Sequence, residues 1–228
     1  MCCAPALPLI HADAHLLVLD KPAGLLAVPG RGADKADCLA SRVQAAHPDA
    51  LVVHRLDQAT SGLLLFARGL EMQRRLSRAF ELRQVHKRYI AVAAGRLGDE
   101  AGASGSIALP LIADWPRRPL QKVDLLHGKP ALTHWRVLAH ELRAGPDGAA
   151  AQGDARWVTR LELCPVTGRS HQLRLHLAAI GHPLLGDALY APADIAAAAP
   201  RLLLHAEQLT LQHPGSGADL HLHAPVPF

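Results

Sequence analysis

The run Val53-His54-Arg55-Leu56-Asp57-Gln58-Ala59-Thr60-Ser61-Gly62 sets a carboxylate two residues from a guanidinium, between apolar stretches. A carboxylate held in a loop by buried strands can act as a nucleophile, a base or an electrostatic stabiliser. It can equally close a turn. The small residues Ala59, Ser61 and Gly62 would let a ligand approach the backbone closely. A second concentration, Gly168-Arg169-Ser170-His171-Gln172-Leu173-Arg174-Leu175-His176, is cationic and contains no acid. Its apolar spacing predicts a helix from about Ser170 to Gly181, with Arg169 at the start. Helix N-termini favour anions, so a cation there is expected to have an anionic partner elsewhere, and Asp57 is the candidate. His171 and Arg174 would share a face, able to meet phosphates or to build a structural ion-pair network. The third spot is Lys87-Arg88-Tyr89. An aromatic ring beside cations suits an unstacked RNA base, although a single tyrosine is also ordinary core material.

These groups need a scaffold. Strands are expected at His15 to Asp20, Leu51 to Val53, Arg88 to Ala94, Ala131 to His140, Arg156 to Cys164, Leu202 to Gln212 and Leu220 to His223. Gly62-Leu63-Leu64-Leu65-Phe66-Ala67 reads as a strand buried on both faces. Asp37 to Ala46 reads as a short helix with Asp37 as a possible cap, and Leu70 to Leu82 as an amphipathic helix. Residues 95–106 read as loop and 144–155 as a flexible tip. Prolines 116 and 119 exclude regular structure across Trp115 to Pro119. Strands outnumber helices and many neighbours are hairpin-like. The expectation is one α+β domain over residues 1–228 with a mostly antiparallel sheet.

Composition narrows the classes. No apolar stretch approaches the ~18 residues of a membrane span, and the N-terminus lacks a secretory pattern, so a cytoplasmic protein is expected. The four cysteines (2, 3, 38 and 164) form no Cys-x-x-Cys pair. The fifteen histidines include no His-Glu-x-x-His, and no metal site is expected. A net charge of +4 and seven Arg or Lys against two acids between Arg68 and Arg88 fit a polyanionic partner or a solvated helix face. Arg74, Arg75 and Arg78 carry that choice.

Five stretches, in order, resemble the RluA family of pseudouridine synthases. They are Leu19 to Leu25, His54 to Gly62, Lys87 to Ile90, Gly168 to Arg174 with Gly181 to Asp187, and Arg201 to Ala206. The His-Arg-Leu-Asp run followed by Thr-Ser-Gly is the most specific. The resemblance implies a mixed, largely antiparallel sheet with flanking helices and a cleft. It implies isomerisation of uridine, with uracil detached from C1′ at N1 and rejoined through C5. On this match Asp57 is the catalytic aspartate, Tyr89 packs on the uracil, Arg169 pairs with Asp57, and Arg55 helps displace the target nucleotide. His54, Thr60, Lys87, Arg88, Arg117, Arg118, Lys122, His171, Gln172 and Arg174 are expected RNA contacts. No cofactor is expected.

The chemistry agrees with the resemblance. An isomerisation requires no redox centre or energy source. Uracil must leave its stack, at a cost of a few kcal/mol. Cleavage of C1′–N1 develops positive charge on the sugar, which one ionised carboxylate stabilises. The residues are compatible with attack at C1′, attack on the base or proton removal from C2′. A glycoside hydrolase would place two carboxylates, and a zinc deaminase would show His-x-Glu and Pro-Cys-x-x-Cys. Only Asp57 has such a setting among the carboxylates, and the chain has no Pro-Cys-x-x-Cys. An inactive RNA-binding protein on the same scaffold is the rival from another class.

The match begins near His15, so no appended N-terminal RNA-binding domain is expected. Target choice then falls to the catalytic domain, which favours small folded loops read by shape. Gly24 to Arg31 and Asp114 to Val123 further resemble the dual-specificity members of the family. That resemblance implies two partners for a monomeric enzyme, a tRNA anticodon stem-loop (uridine 32) and a hairpin loop of 23S ribosomal RNA. The 144–155 tip and His127 depart from the pattern.

Overall fold

The computed structural model describes residues 9–30, 32, 35–143 and 156–228. The expected tip at 144–155, the Cys2-Cys3 pair and Arg31 lie outside the described residues. The chain divides into two compact units, one formed by the chain up to Lys87 with Ala206–Pro227, the other by Arg88–His205 with Phe228.

The first unit opens with β1 (Leu9–Ala12), β2 (Leu16–Lys21), α1 (Leu39–Ala46), β3 (Ala50–Val52), β4 (Ser61–Arg68) and α2 (Gly69–Glu81). β2 pairs antiparallel with β1 and β4, and β3 pairs antiparallel with β4. The continuous apolar run of β4 is explained by burial of every residue from Ser61 to Ala67. Leu63 and Leu65 of β4 join Leu16 and Val18 of β2 in a core that α2 covers with Met72 and Leu76. Burial of each such leucine stabilises by about 1.5–3 kcal/mol. The α1 cap is Cys38, whose sulfur accepts the Ser41 N–H at 3.3 Å. The expected cap, Asp37, instead pairs with Arg42 at 2.6 Å.

The second unit contains most of β5 (His86–Ala94), then β6 (Ser104–Ile107), β7 (Leu111–Ala113), a 3-10 turn (Trp115–Arg117), β8 (Gln121–Val123), β9 (Thr133–Arg143), β10 (Arg156–Pro165), α3 (Gln172–Ala179) and α4 (Ala193–Ala196). Its sheet order is β5-β10-β9-β6, with antiparallel ladders, and β7-β8 forms a separate hairpin. Val92, Ala94, Val158, Leu185 and Leu203 form a core that Phe228 also packs against. Several elements depart from expectation, among them α4 and the 3-10 turn over Trp115–Arg117, where the prolines were expected to exclude regular structure; Pro116 is tolerated there because a first-turn N–H has no partner within the turn. The end of the glycine-rich 95–106 segment is β6, where Gly105 faces Trp135: a Cβ there would lie 2.6 Å from the indole. The short β7-β8 hairpin was not expected.

The chain then enters β11 (Leu204–Gln212), which belongs to the first unit from Ala206 onward, and β12 (Asp219–His223), paired antiparallel with β11. Leu209, Leu211 and Leu222 complete the first core. Among the described residues the strands outnumber the helices in an α+β arrangement with a large, mostly antiparallel sheet. No helix among them is long and apolar enough to cross a membrane.

Candidate active site

Asp57 sits in an irregular segment between β3 and β4, half-buried, with exposed Arg55 and buried Leu56 before it. Several contacts hold that segment. The His54 ring stacks on Phe80 of α2, with centroids 4.6 Å apart, and its Nε2 accepts the Leu65 N–H of β4 at 3.0 Å. Burial, and then the charge of Lys87, pull the His54 pKa down to about 3, so the ring is neutral at ordinary pH. Gln73 of α2 donates to the Val52 carbonyl at 3.0 Å. A turn follows at once, closed by the Thr60 N–H on the Asp57 carbonyl at 3.1 Å. Thr60 is itself buried.

The far side of the turn is fixed by Lys21, at the end of β2. Lys21 is fully buried, and its ammonium donates to the carbonyls of Pro22 (2.8 Å), Leu25 (2.7 Å) and Gln58 (3.1 Å). Gln58 also accepts the Gly24 N–H at 2.8 Å and returns a bond from its amide to the Gly24 carbonyl at 3.0 Å. Asp57 is thus carried on a short turn tied to its neighbours at both ends. Gly62 serves this packing too. Its φ is +111°, and a Cβ would lie 2.3 Å from the Ala206 carbonyl oxygen. Its smallness admits the β11 backbone, where a ligand was expected.

Lys87 is half-buried, and burial, then Arg83, hold its amine below the usual lysine range. In the second unit Tyr89 lies on β5 opposite Leu163 of β10. Arg88 reaches Glu162 at 3.5 Å, and Arg136 reaches the same carboxylate at 2.9 Å.

The loop before α3 differs from the reading of the sequence. The helix begins at Gln172, with His171 as its cap in the left-handed region at φ +55°. Arg169 therefore precedes the helix, and the argument from the helix dipole does not apply to it. Arg169 is exposed, and its Nε donates to the Pro130 carbonyl at 3.2 Å. Gln172 is buried. Its Oε1 accepts the Arg169 N–H at 3.0 Å and the Thr167 hydroxyl at 2.7 Å, and its amide nitrogen donates to the Leu132 carbonyl and Thr133 hydroxyl, both at 3.0 Å. Gln172 thereby shapes the loop that carries Arg169. Arg174 does not share an exposed face with His171. It is buried and grips Asp187 with two bonds, at 2.8 and 2.6 Å.

Two residues complete this region, Asp187, which the sequence reading assigned no role of its own, and Tyr190, which it did not single out. Asp187 Oδ1 accepts the backbone N–H groups of Leu189 and Tyr190. The Tyr190 hydroxyl accepts the Gln121 N–H at 2.8 Å and bonds His171 Nδ1 at 2.6 Å. The α3 loop and the β7-β8 hairpin are thus joined through one hydroxyl. The available signal was that Tyr190 is one of only two tyrosines, following directly on the Gly186-Asp187 match. At the hairpin tip, Arg117 pairs with Asp114 at 2.6 Å and Arg118 stacks on Trp115. Lys122 lies on β8, 3.4 Å from Asp124.

One cluster has the composition of a metal site, Asp13 with His15 and His213. Its hydrogen bonds do not fit one. His213 Nδ1 accepts the Gly215 and Ser216 N–H groups at 3.2 and 3.0 Å, so the ring proton sits on Nε2, which points to Asp13 Oδ2 at 2.9 Å. A metal would need that Nε2 lone pair and an Nδ1 donor. Asp13 also accepts His11, His15 N–H and Leu16 N–H. Burial raises its pKa, and these bonds outweigh it, holding the carboxyl well below the usual range. The cluster is a hydrogen-bond hub between the β1-β2 and 213–218 turns.

Comparisons with known proteins identify the family. The model of a family described as RNA pseudouridylate synthase covers residues 15–179. The dual-specificity RNA pseudouridine synthase RluA of Escherichia coli (strain K12) is 45% identical over 224 residues, 98% of this chain and 95% of that protein. Its namesake in Pasteurella multocida (strain Pm70) is also 45% identical over 224 residues, with the same coverage. Among solved structures, human RNA pseudouridylate synthase domain containing 1 aligns with a TM-score of 0.76 at 28% identity, covering 98% of this chain and 84% of that one. The chain therefore belongs to the RNA pseudouridylate synthase family, and its activity is the isomerisation of uridine to pseudouridine in RNA.

Proposed function

We propose that this enzyme is a dual-specificity pseudouridine synthase acting in the cytoplasm as a monomer. Its targets are the uridine at position 32 of a tRNA anticodon loop and a uridine in a 23S ribosomal RNA hairpin loop. The observation that carries this reading is the 45% identity, over nearly the full length of both chains, to enzymes named for dual specificity. Both compact units serve one catalytic domain in this reading.

Asp57 is the catalytic carboxylate, and Tyr89 and Arg169 act on the same uridine. Arg55, exposed beside Asp57, fills the place the target vacates in its stack. As C1′–N1 breaks, positive charge develops on the sugar and the carboxylate offsets it. Uracil then rejoins C1′ through C5, N1 takes up a proton and C5 gives one up, so atoms and electrons balance without a co-reactant. The rigid turn supports this assignment, because a carboxylate fixed before substrate arrives needs little reorganisation in the transition state.

Lys87, Arg88, Arg117, Arg118, Lys122 and His171 are the proposed phosphate and base contacts. His54, Thr60, Gln172 and Arg174 contribute by shaping the loops that carry Asp57 and Arg169. The test uses purified protein and two short stem-loops, one from each RNA. Pseudouridine at the expected uridine of both supports dual specificity. Modification of one alone reduces the enzyme to a single-substrate synthase, and modification of neither overturns the target assignment.

A further inference from the structure

The tip of the β7-β8 hairpin carries an aromatic surface that the catalytic chemistry does not use. Trp115 is 65% exposed although the Arg118 guanidinium lies over its ring, 3.0 Å from the centroid. An indole covered on one face yet exposed to that degree has its other face open to solvent. Exposed tryptophan is uncommon on a protein surface without a role in contact, because its large apolar area is left in water. The setting is stiff. Trp115 opens a 3-10 turn with Pro116 at its second position, closed by the Arg117 N–H on the Asp114 carbonyl and the Leu120 N–H on the Arg117 carbonyl. A preformed turn loses little entropy on binding.

The charges around the ring are sorted. Arg117 and Lys122 point outward, with side chains 72% and 49% exposed. The neighbouring acids are less exposed than these cations and are engaged, Asp124 with Lys122 at 3.4 Å. Asp114 is buried against Arg117, and Asp124 Oδ1 accepts the N–H groups of Leu126 and His127. A stiff aromatic face ringed by outward cations matches an unpaired nucleotide, whose base stacks while its phosphates meet the cations.

We infer that the open face of Trp115 is a stacking platform for one unpaired base of the RNA substrate, other than the uridine being isomerised. Arg118 backs the indole from behind and, with Arg117 and Lys122, contacts the adjoining phosphates. The platform selects loops over duplex ends, since only a loop offers a base without a partner. This inference rests on the stem-loop reading of the substrate proposed above.

Stacking of one base is worth about 1–3 kcal/mol, roughly 5- to 150-fold in affinity. The experiment uses the full chain and a fluorescein-labelled anticodon stem-loop, reading Kd by anisotropy and KM and kcat by pseudouridine formation. Trp115→Ala should raise Kd and KM about tenfold with kcat within twofold, and Trp115→Phe should recover most of the loss. A set of stem-loops with one abasic loop position each identifies the stacked base. At one position the abasic change should weaken wild type about as much as Trp115→Ala does, and should add nothing to that variant. A folded Trp115→Ala variant with unchanged Kd, or abasic penalties that add fully at every position, overturns the platform, and the exposed indole is then left to a protein partner. Wild type that binds the stem-loop but forms no pseudouridine overturns the proposed target and leaves the Kd comparison decisive. Wild type that does not bind overturns both.

Discussion

The buried Lys21 ammonium lies 3.1 Å from the carbonyl of Gln58, the residue that follows Asp57. A buried cation is costly unless its donors are satisfied, and here they meet backbone carbonyls in two segments. The ammonium therefore acts as a clamp between the turn after β2 and the turn that presents Asp57. The clamp holds the turn that carries Asp57, and on the proposed function Lys21 acts as a positioning residue.

Lys21→Met keeps an unbranched side chain one atom shorter and removes its donors. It should destabilise the protein by roughly 3 kcal/mol, since three bonds from a charged donor to backbone carbonyls are lost. In the protein that remains folded, kcat should fall at least tenfold with KM changed little. Urea unfolding and initial rates measured below the unfolding transition check both. Unchanged kcat would show that the Asp57 turn holds its place without the clamp.

His54 gives stability a pH dependence with a defined window. Its folded pKa, about 3, lies below its ordinary 6.5. Between these values the unfolded chain takes up a proton that the folded chain refuses, so stability falls as pH drops through that range. Above 6.5 the ring is neutral in both states and contributes no slope. The slope approaches about 1.4 kcal/mol per pH unit at most. Asp13, whose carboxyl is depressed, adds its own loss as pH approaches and passes below its ordinary 3.8, and that loss is common to wild type and a His54 variant. His54→Gln should flatten the unfolding free energy between pH 6.5 and 4 relative to wild type. Parallel curves for the two proteins would place the His54 ring in water.

Arg174 and Asp187 form a buried ion pair, so removal of Arg174 leaves the Asp187 carboxylate without its cationic partner. Arg174→Ala should destabilise by about 3–5 kcal/mol. The RNA affinity of the folded fraction should stay within twofold, measured by anisotropy at low temperature. A loss of affinity without a loss of stability would return Arg174 to the RNA-binding surface, where its sequence pattern first set it.

That contrast shows what the sequence makes legible. The strand of residues 61–68 is readable because its apolar run has no polar interruption, and α2 because Met72, Leu76 and Phe80 recur at helical spacing. The Asp57 loop is readable because its motif is local. The fates of Gln172 and Arg174 are not, because their partners Leu132, Thr133 and Asp187 are remote in sequence and polar residues default to the surface. Lys21 escapes notice because a lysine, too, defaults to the surface. The β7-β8 hairpin is hidden by its three-residue strands, too short for any period to register. The left-handed His171 delays the start of the expected helix to Gln172, and no residue-type rule marks that position.

Arg169 is proposed to act with Asp57 on the substrate, from a loop held by Gln172. Arg169→Ala should lower kcat at least a hundredfold and raise KM less than fivefold, with the unfolding midpoint nearly unchanged because the side chain is exposed. In a cycle with Asp57→Asn the two losses should be strongly non-additive, as for groups that work as a unit. Normal turnover by Arg169→Ala would remove it from the catalytic set.

The most direct measurement is pseudouridine formation by Asp57→Asn on a stem-loop that wild type modifies. The substitution keeps the shape of the side chain and removes its charge. Turnover should fall below one per cent of wild type, roughly the 3 kcal/mol or more expected when charge stabilisation is lost at a reacting centre, while Kd stays within about threefold. Turnover near the wild-type rate, with folding intact, would contradict the assignment of Asp57 as the catalytic carboxylate.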